Sequence, residues 1–196
     1  MIAIINYGAG NLASVQKAVA CFRCDCVVTS AVREIADADK VILPGVGHFA
    51  ATQILFSNGM AQVIQKSIER GRPLLGICLG LQWLFQGSSE AEGVPGLEVF
   101  AGVCTRFPNY VKSPHVGWNQ VQVRPPTRLL RNIPSGSYFY FTHSYRAPIN
   151  ESTTAACHYG EAFSAAVESG NIFGVQFHPE KSGPAGLKVL ENFCAL

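Results

Sequence analysis

The clearest chemical signal in this sequence is a cysteine, Cys78, that stands midway between two glycines, Gly76 and Gly80. An apolar run at 74–77 precedes it, and an apolar pattern at helical spacing, at 81–85, follows it. This is the G-x-S-x-G spacing of a hydrolase nucleophile elbow, with cysteine in place of serine. A sharp strand-to-helix turn strains the backbone of the nucleophile, and side chains two residues away would crowd it. The spacing therefore predicts a thiol that points out of a strand tip, at a helix N-terminus that favours a thiolate.

A thiol nucleophile needs a base and a group that orients the base, and His178-Pro-Glu180 contains both residue types. In an extended segment residues i and i+2 point the same way, so we expect His178 and Glu180 to share a face while Pro179 stiffens the backbone. The turn Pro44-Gly-Val-Gly47 would present bare backbone N–H groups to a developing oxyanion. Together these features predict acyl transfer by Cys78, against the alternative that it is one more buried, inert cysteine. The remaining histidines are interpreted as packing or loop residues: His48, His115, His143 and His158.

Alternating strand and helix patterns must position these residues. Strands are predicted at 2–6, 27–30, 40–43 and 74–77, with helices at about 12–22, at 48–70 with an interruption at Asn58-Gly59, and at 81–85. Such units indicate a parallel sheet with right-handed crossovers and the elbow at the carboxyl ends of its strands.

The second half of the chain has a different pattern. Short β-rich runs lie between Pro/Gly turns at 99–107, 119–123, 138–141, 155–158, 162–167 and 172–177, the last two forming a hairpin that leads to His178. A terminal helix at 184–196 would turn Leu187, Leu190 and Phe193 inward. The predicted fold class is therefore α/β: an open, mainly parallel sheet with helices on both faces and an antiparallel β extension.

Composition limits the classes of protein that this chain can be. A chain of 196 residues with 48% hydrophobic content can bury roughly 70% of its unfolded surface, and no linker or repeat divides it, which predicts a single domain over 1–196. The net charge of +2, without a Lys/Arg cluster, argues against binding to nucleic acid or to an anionic membrane. No run approaches the roughly 18 apolar residues of a membrane span, and the first residues lack the basic region of a signal peptide. We therefore expect a soluble, cytoplasmic protein.

Two further motifs suggest ligands that the rest of the sequence does not support. Residues 8–13 match the G-x-G-x-x-A of dinucleotide sites, but the second strand ends in Ser30 instead of the acidic residue that would hold a ribose. The better interpretation of residues 8–13 is a tight loop whose glycines let another group, such as a partner, approach the backbone closely. Cys21, Cys24 and Cys26 form C-x2-C-x-C without a second pair or a nearby histidine, so packing explains them better than a metal does. Neither a metal nor a cofactor is expected, and the odd count of seven cysteines predicts reduced thiols.

Two segments resemble the motifs of a known family, the class I, or triad, glutamine amidotransferases. They are Gly76-Ile-Cys-Leu-Gly80 with Gln82, and Val175-Gln-Phe-His-Pro-Glu180. A narrower resemblance covers nearly the whole chain and points to the glutaminase subunits of imidazole glycerol phosphate synthases of histidine biosynthesis. The segments that are similar to these subunits, in order, are Asn6-Tyr-Gly-Ala-Gly-Asn11, Pro44-Gly-Val-Gly47, Pro114-His-Val-Gly-Trp-Asn119, Tyr140-Phe-Thr-His-Ser-Tyr145 and Glu180-Lys-Ser182.

The resemblance implies a role for each matching residue. Cys78 would attack the side-chain amide of glutamine, His178 would take and return the proton, and Glu180 would fix the imidazole. The backbone N–H groups of Val46 and Leu79 would stabilise the tetrahedral oxyanion. The residues implied in glutamine binding are Gly47, Gln82, Glu90 and the backbone of His143, Ser144 and Tyr145. Among them, Glu90 is a candidate for binding the ammonium group of glutamine. Two departures are small: Asn6 stands where aspartate is common, and Trp83 is bulkier than the usual aliphatic residue.

The resemblance also implies a partner, a cyclase with a (β/α)8 barrel that would form a one-to-one heterodimer with this chain. Ammonia released to water at neutral pH is largely protonated and so a poor nucleophile, which favours direct delivery to a docked synthase. The surfaces assigned to this contact are the Tyr7 to Asn11 loop, Trp118, Asn119, Tyr140 and Lys181. Core packing is the alternative role for Trp118 and Tyr140.

Three other functions remain open at this point. The chain could serve a different ammonia-using synthase, such as a sugar-modifying relative. It could be a cysteine hydrolase or a glyoxalase-like protein built on a similar elbow, although the His-Pro-Glu order so far from the cysteine disfavours this. It could also be an interaction module that has lost its chemistry, which a missing triad residue would indicate, and none is missing.

Overall fold

A nine-stranded sheet forms the centre of the computed structural model, which describes all residues, 1–196. The strands are β1 Ile2–Ile5, β2 Cys26–Thr29, β3 Lys40–Gly45, β4 Leu74–Cys78, β5 Gly87–Ser88, β6 Val103–Arg106, β7 His115–Val123, β8 Ser137–His143, β9 Tyr145–Arg146, β10 Thr153–Tyr159, β11 Glu161–Ser169 and β12 Ile172–Val175. The α-helices are α1 Leu12–Ala20, α2 Val32–Asp37, α3 Gln53–Ser57, α4 Met60–Glu69, α5 Leu79–Trp83 and α6 Gly183–Cys194, and 3₁₀ turns cover Phe49–Thr52 and Pro179–Lys181.

The strand order of this sheet is β2-β1-β3-β4-β12-β11-β10-β7-β8. The strands from β2 to β12 pair in parallel, and β11, β10, β7 and β8 add to them in antiparallel fashion. The prediction of a mainly parallel α/β core with an antiparallel extension from the second half of the chain is therefore confirmed. The run predicted at 99–107 differs in part, because only β6 forms there and it pairs with β5 and β9 in a separate small sheet.

Helices cover both faces of the parallel strands, as predicted. One apolar cluster joins α1 and α6 to the sheet, and a second joins α2, α4 and α5 to the opposite face. Strands that are covered on both sides need no polar positions, and every residue of β1 and of β4 is buried. None of the helices has both the length and the hydropathy that a membrane-spanning segment requires.

One prediction about the terminal helix is wrong: Leu187 is 38% exposed, whereas Leu190 and Phe193 are fully buried. Gly186 explains the difference, because a Cβ at this position would lie 2.1 Å from the carbonyl oxygen of Pro179. This close approach turns Gly186, Leu190 and Phe193 toward the sheet. Leu187 is one residue, or about 100°, further around the helix and so points away from the sheet.

Candidate active site

Cys78 is the last residue of β4, and α5 begins at the next residue. Its backbone has φ 54° and ψ −106°, a conformation that non-glycine residues adopt only under strain, at a cost of about 1–3 kcal/mol. The flanking glycines are needed for steric reasons. A Cβ on Gly76 would lie 2.7 Å from the backbone of Gly80, and a Cβ on Gly80 would lie 1.8 Å from the carbonyl oxygen of Leu43. The elbow therefore requires glycine at both positions.

The substitution Gly80→Ala should consequently destabilise the fold by about 3 kcal/mol, because its methyl group has to displace the backbone of β3 rather than a side chain. Gly71→Ala is the matched control. Gly71 has a positive φ of 73°, which Gly80 does not, and a Cβ there meets nothing within 4 Å, so only the backbone conformation should cost energy, about 1 kcal/mol. Urea unfolding of the two variants measures the difference. Equal losses of stability would contradict this account of the elbow.

His178 and Glu180 meet in a 3₁₀ turn and not in the extended segment that the sequence predicted. His178 itself has extended backbone angles, but Pro179–Lys181 is helical. The turn forms because the carbonyl oxygen of His178 accepts hydrogen bonds from the backbone N–H of Lys181 at 3.0 Å and from the hydroxyl of Ser182 at 2.6 Å. The side chains still come together, with His178 Nδ1 2.9 Å from Glu180 Oε1 and both side chains almost completely buried.

The arrangement of these groups sets the protonation of the imidazole. A carboxylate accepts only, so His178 Nδ1 carries the hydrogen toward Glu180. The other ring nitrogen, Nε2, is buried without a hydrogen-bond partner, while Cys78 lies near enough to interact with the ring. Burial lowers the pKa of His178, but Cys78 and Glu180 outweigh burial and raise that pKa to about 10. His178 therefore has a strong tendency to hold a proton next to the cysteine.

Sheet pairing brings these two distant parts of the chain together. β12 inserts beside β4 with Val175 opposite Ile77, so the chain leaving β12 passes the elbow. The backbone N–H of His178 then donates to the carbonyl oxygen of Tyr140 at 2.9 Å, which anchors the histidine to β8 as well. The position of His178 thus depends on two strands, β12 and β8, that are far from Cys78 in the sequence.

A cavity of about 220 Å³ opens at the elbow. Its lining contains every residue that the resemblance implied for the oxyanion and for the substrate: Val46, Gly47, Leu79, Gln82, Glu90, His143, Ser144 and Tyr145, together with Cys78, Pro114 and Thr142. The structure therefore brings the implied binding residues to one place beside the thiol. A pocket with a few converging polar groups is the common form of a small-molecule site.

Two polar side chains of this cavity are already held by the protein. Glu90 Oε2 accepts a hydrogen bond from the backbone N–H of Phe49 at 2.8 Å. Gln82 Nε2 donates to the carbonyl oxygen of Tyr145 at 2.8 Å and contacts Gln176 Oε1 at 3.3 Å. These bonds use one oxygen of Glu90 and the amide nitrogen of Gln82, and they leave an oxygen on each for a ligand.

Gln176 is a site residue to which the sequence analysis assigned no role. Its side chain is fully buried, and Nε2 lies 3.7 Å from the sulfur of Cys78. It therefore joins Gln82 to the thiol. The sequence contains a feature that could have identified Gln176 as a site residue. It is the one polar residue in the apolar run 172–177, and it stands two positions before His178.

The residues assigned to a partner surface do not all lie on the surface. Tyr7 is only 5% exposed, and its hydroxyl packs against the elbow, where a Cβ on Gly45 would lie 2.2 Å from it. Burial, and then Cys78, raise the pKa of Tyr7. Tyr7 is therefore corrected to a residue that supports the elbow from inside. Asn11 and Asn119 are half-buried.

The other assigned residues form one exposed group that we call the aromatic patch: Trp118, Tyr140 and Lys181. Trp118 is 55% exposed and lies opposite Tyr140 in the pairing of β7 with β8, with ring centroids 6.2 Å apart. Lys181 Nζ lies 5.9 Å from the centroid of the Tyr140 ring. Core packing is thus excluded for Trp118, and Tyr140 is half-buried.

The cysteines show no sign of a metal centre. No group of three or more His, Cys, Asp or Glu side chains is arranged to hold a metal ion. All seven cysteines are unpaired. Cys24, Cys26 and Cys194 are half-buried against the main apolar cluster, which agrees with packing as their role, whereas Cys21 is exposed.

Comparison with known proteins places the chain in a family. The family described as Glutamine amidotransferase class-I matches residues 3–196. The chain is 50% identical over 195 residues to Imidazole glycerol phosphate synthase subunit HisH of Moorella thermoacetica, which covers 98% of this chain and 93% of that one. It is 42% identical over 197 residues to the protein of the same name from Methanocaldococcus jannaschii, over 100% of both chains.

Solved structures show the same fold. A crystal structure of glutamine amidotransferase superposes with a TM-score of 0.78 at 15% identity, over 100% of both chains. PurLQS from Thermotoga maritima gives a TM-score of 0.73 at 20% identity, over 98% of this chain and 96% of that one. The match of the family along the whole fold, with a cysteine elbow at its centre, shows that the chain belongs to the class I glutamine amidotransferases.

Proposed function

We propose that this chain hydrolyses L-glutamine to L-glutamate and ammonia through Cys78, His178 and Glu180. We further propose that it delivers the ammonia to the cyclase subunit of an imidazole glycerol phosphate synthase, which forms imidazole glycerol phosphate and the aminoimidazole carboxamide ribonucleotide in histidine biosynthesis. The observation that carries the proposal is the strained Cys78 at the cavity next to His178, whose other nitrogen is bonded to a buried carboxylate. The names of the relatives at 42–50% identity support the choice of synthase.

In the first half of the proposed reaction, the thiol proton of Cys78 passes to Nε2 of His178. The sulfur then attacks the amide carbon of the glutamine side chain. The tetrahedral intermediate carries its negative charge on oxygen, where the N–H groups of Val46 and Leu79 would donate to it. When the C–N bond breaks, the imidazolium returns its proton to nitrogen, so ammonia leaves and a thioester remains on Cys78.

In the second half, His178 takes a proton from water while that water attacks the thioester carbon. Collapse of the second tetrahedral intermediate breaks the C–S bond, releases glutamate and restores the thiol. Glu180 contributes in both halves, because its carboxylate holds Nδ1–H and keeps Nε2 directed at the reacting atoms. A buried carboxylate also stabilises the imidazolium that forms in each half.

Glutamine would be held by groups with opposite polarity at the two ends of the cavity. The free oxygen of Glu90 fits the ammonium group, and the backbone of 143–145 offers carbonyl and N–H groups for the rest of the amino acid. The oxygen of Gln82 and the backbone of Gly47 also line the cavity, and in our proposal they bind the side-chain amide.

The partner would dock on the face that contains the aromatic patch. Exposed Trp and Tyr side chains are the residue types that contribute most at protein interfaces, and the adjacent Lys181 adds a positive charge directly after the triad glutamate. Docking here would bring the cyclase, in our proposal a (β/α)8 barrel in a one-to-one heterodimer, close to the point at which ammonia forms.

The test is a comparison of glutamine hydrolysis by the chain alone, with the cyclase, and with the cyclase and its nucleotide ligand. We expect slow hydrolysis by the isolated chain and a rise with each addition, because a glutaminase that releases ammonia without an acceptor wastes its substrate. Equal rates under the three conditions would rule out this coupling. Light scattering after size-exclusion chromatography measures the stoichiometry, and absence of a one-to-one complex would rule out the partner.

The substitution Trp118→Ala locates the docking face in the same assay. We expect it to weaken the complex by about 30-fold, the effect of a central aromatic residue, while hydrolysis by the isolated chain is unchanged. Tyr110→Ala is the matched control, because Tyr110 is an exposed aromatic side chain outside the aromatic patch. If both variants bound the cyclase equally well, the partner would have to dock elsewhere.

A further inference from the structure

A chain of hydrogen bonds runs through the protein behind the cavity, and it contains the side chains of two histidines for which the sequence predicted only packing or loop roles, although the backbone of one of them, His143, was implied in glutamine binding. His115 Nδ1 lies 3.1 Å from His143 Nε2, and His143 Nδ1 lies 2.9 Å from the carbonyl oxygen of Tyr145. At the other end, Asn119 Nδ2 lies 3.3 Å from His115 Nε2. His115 and His143 are only 3% and 6% exposed. We call these two residues the histidine pair.

The groups at the two ends determine where each hydrogen lies. A carbonyl oxygen can only accept, so His143 Nδ1 carries a hydrogen and donates it to Tyr145. In a neutral imidazole the other nitrogen is then an acceptor, which requires His115 Nδ1 to donate to His143 Nε2. His115 Nε2 must in turn accept from Asn119. The orientation of the Asn119 amide agrees, because its oxygen accepts from the backbone N–H of Gln120 at 2.8 Å and its nitrogen also donates to the carbonyl oxygen of His158.

This assignment depends on both rings being neutral, and their surroundings make them so. The ring of His115 stacks on Phe141 and on Tyr159, with centroids 4.9 and 4.1 Å away, and Phe107 lies edge-on to His115 and tilted against His143. Burial lowers the pKa of His115 to about 4. Burial also lowers the pKa of His143 to about 3, and His115, His178 and Arg146 act in the same direction, against the bond to Tyr145. Both histidines are therefore uncharged at neutral pH.

The chain of hydrogen bonds ends at the wall of the cavity. The carbonyl oxygen of Tyr145 accepts from His143 on one side and from Gln82 Nε2, at 2.8 Å, on the other. His143, Ser144 and Tyr145 all line the cavity through this short segment, which links β8 to β9. The carbonyl oxygen of Tyr145 is thus held by one donor from the elbow and by one donor that exists only in a single tautomer of His143, while the backbone N–H of Phe107 holds the carbonyl oxygen of Ser144 at 3.1 Å.

We propose that His115 is a positioning residue for glutamine: its Nδ1–H holds His143 in the Nδ1–H tautomer, and His143 thereby holds the carbonyl of Tyr145 and the substrate-binding segment 143–145. The inference rests on the proposed function, since it assigns this segment to glutamine. His115 touches neither the cavity nor the thiol, so it acts on binding rather than on the chemical step. Without the donor from His115, the buried Nε2 of His143 would be an acceptor without a partner, so the ring would be held only at Nδ1 and its hold on Tyr145 would weaken.

The tautomers can be measured directly. Nitrogen-15 NMR of the unmodified chain at pH 7.5 should show both His115 and His143 as neutral Nδ1–H tautomers, with Nε2 as the unprotonated nitrogen in each. Observation of the Nε2–H form for either residue would overturn the proposal. This measurement does not depend on activity or on how any variant folds.

Kinetics of the complex with the cyclase test the consequence for glutamine. His115→Phe keeps the stacked ring but removes the donor, and we expect KM for glutamine to rise about five- to tenfold, the effect of one lost hydrogen bond, with kcat changed by less than about twofold. His115→Asn places an amide N–H near the position of Nδ1 and should restore KM to within about twofold of the original value. His158→Phe is the matched control, because His158 is exposed and contributes only its backbone carbonyl to the chain of hydrogen bonds, so its KM should not change.

The outcomes separate this inference from the function on which it rests. A wild-type complex that does not hydrolyse glutamine would contradict the proposed function, and this inference with it. An active wild-type complex with an unchanged KM in His115→Phe would overturn the inference alone. A loss of kcat instead of KM in His115→Phe would also overturn it, because the residue would then act on the reacting groups and not on substrate position.

Discussion

The substitution Cys78→Ala should reduce glutamine hydrolysis by roughly four orders of magnitude or more, to the background rate, while the fold remains intact. The sulfur of Cys78 is both the nucleophile and the atom that carries the glutamyl group, so neither half of the proposed reaction can proceed without it. The structural cost should be small, since apart from its interaction with His178 the sulfur has only long contacts, with Gln176 at 3.7 Å and the carbonyl oxygen of Thr142 at 3.9 Å. The measurements are glutamate formation and urea unfolding.

A second cysteine serves as the matched control for this experiment. Cys157 is buried like Cys78, but burial raises its pKa to about 12, so it is an inert thiol. Cys157→Ala should cost stability through the lost packing and leave turnover unchanged. Isothermal titration with glutamine separates binding from chemistry, because Cys78→Ala should retain affinity for the substrate. Survival of turnover in Cys78→Ala would refute the proposed mechanism.

The substitution His178→Asn should lower kcat by about a hundredfold or more, because it removes the general base and the general acid together. Asparagine is preferable to alanine here. Its amide can donate to Glu180 from near the position of Nδ1, whereas alanine would leave a buried carboxylate unpaired, which destabilises a fold by about 3–5 kcal/mol. Glu180→Gln should cost less activity than His178→Asn, because the imidazole keeps its chemistry and loses only the nearby charge.

The pH dependence of stability gives an independent measure of the same pair. The pKa of His178 is raised in the folded state to about 10 from its ordinary value of 6.5, so folding favours the protonated ring. The resulting stabilisation is fully present below about pH 6.5 and is lost as the pH rises through 10. The free energy of unfolding should therefore differ most between wild type and His178→Asn at pH 6, and the difference should shrink at pH 10. A difference that grew with pH, or a His178→Asn enzyme with normal kcat, would contradict the role assigned to this residue.

Local sequence patterns were enough to predict the elements that carry the site. Gly76 predicted the elbow because its constraint is local: a Cβ there would meet the backbone of Gly80. The spacing of Gly80 was recognisable in the motif, although its own constraint is a contact with Leu43 in the neighbouring strand β3. The apolar runs of the first half predicted the parallel core because strands covered on both faces have no polar positions to interrupt them. The prediction that most residues at 48–70 are helical, with an interruption at Asn58-Gly59, is also confirmed, since α3 ends at Ser57 and α4 begins at Met60.

Predictions that depend on which residues contact each other in the folded protein were less successful. The sequence could not show that Leu187 is turned outward, because this depends on the contact of Gly186 with Pro179. It predicted an extended backbone from His178 to Glu180, whereas bonds from Ser182 and Lys181 close a turn there. Tyr7 was assigned to a partner surface together with its whole loop, yet its side chain is buried under the elbow.

The sequence by itself determined which residues could do chemistry, that Cys78 would stand on a strained turn, and that a parallel sheet would present it. Only the tertiary structure brought His178 beside the thiol, and only the tertiary structure joined His115 and His143 in a buried, neutral pair. The physical reason is that hydrophobic periodicity describes one element at a time. The insertion of β12 beside β4, and the pairing of β7 with β8 that joins His115 to His143, depend on hydrogen bonds between strands far apart in the chain.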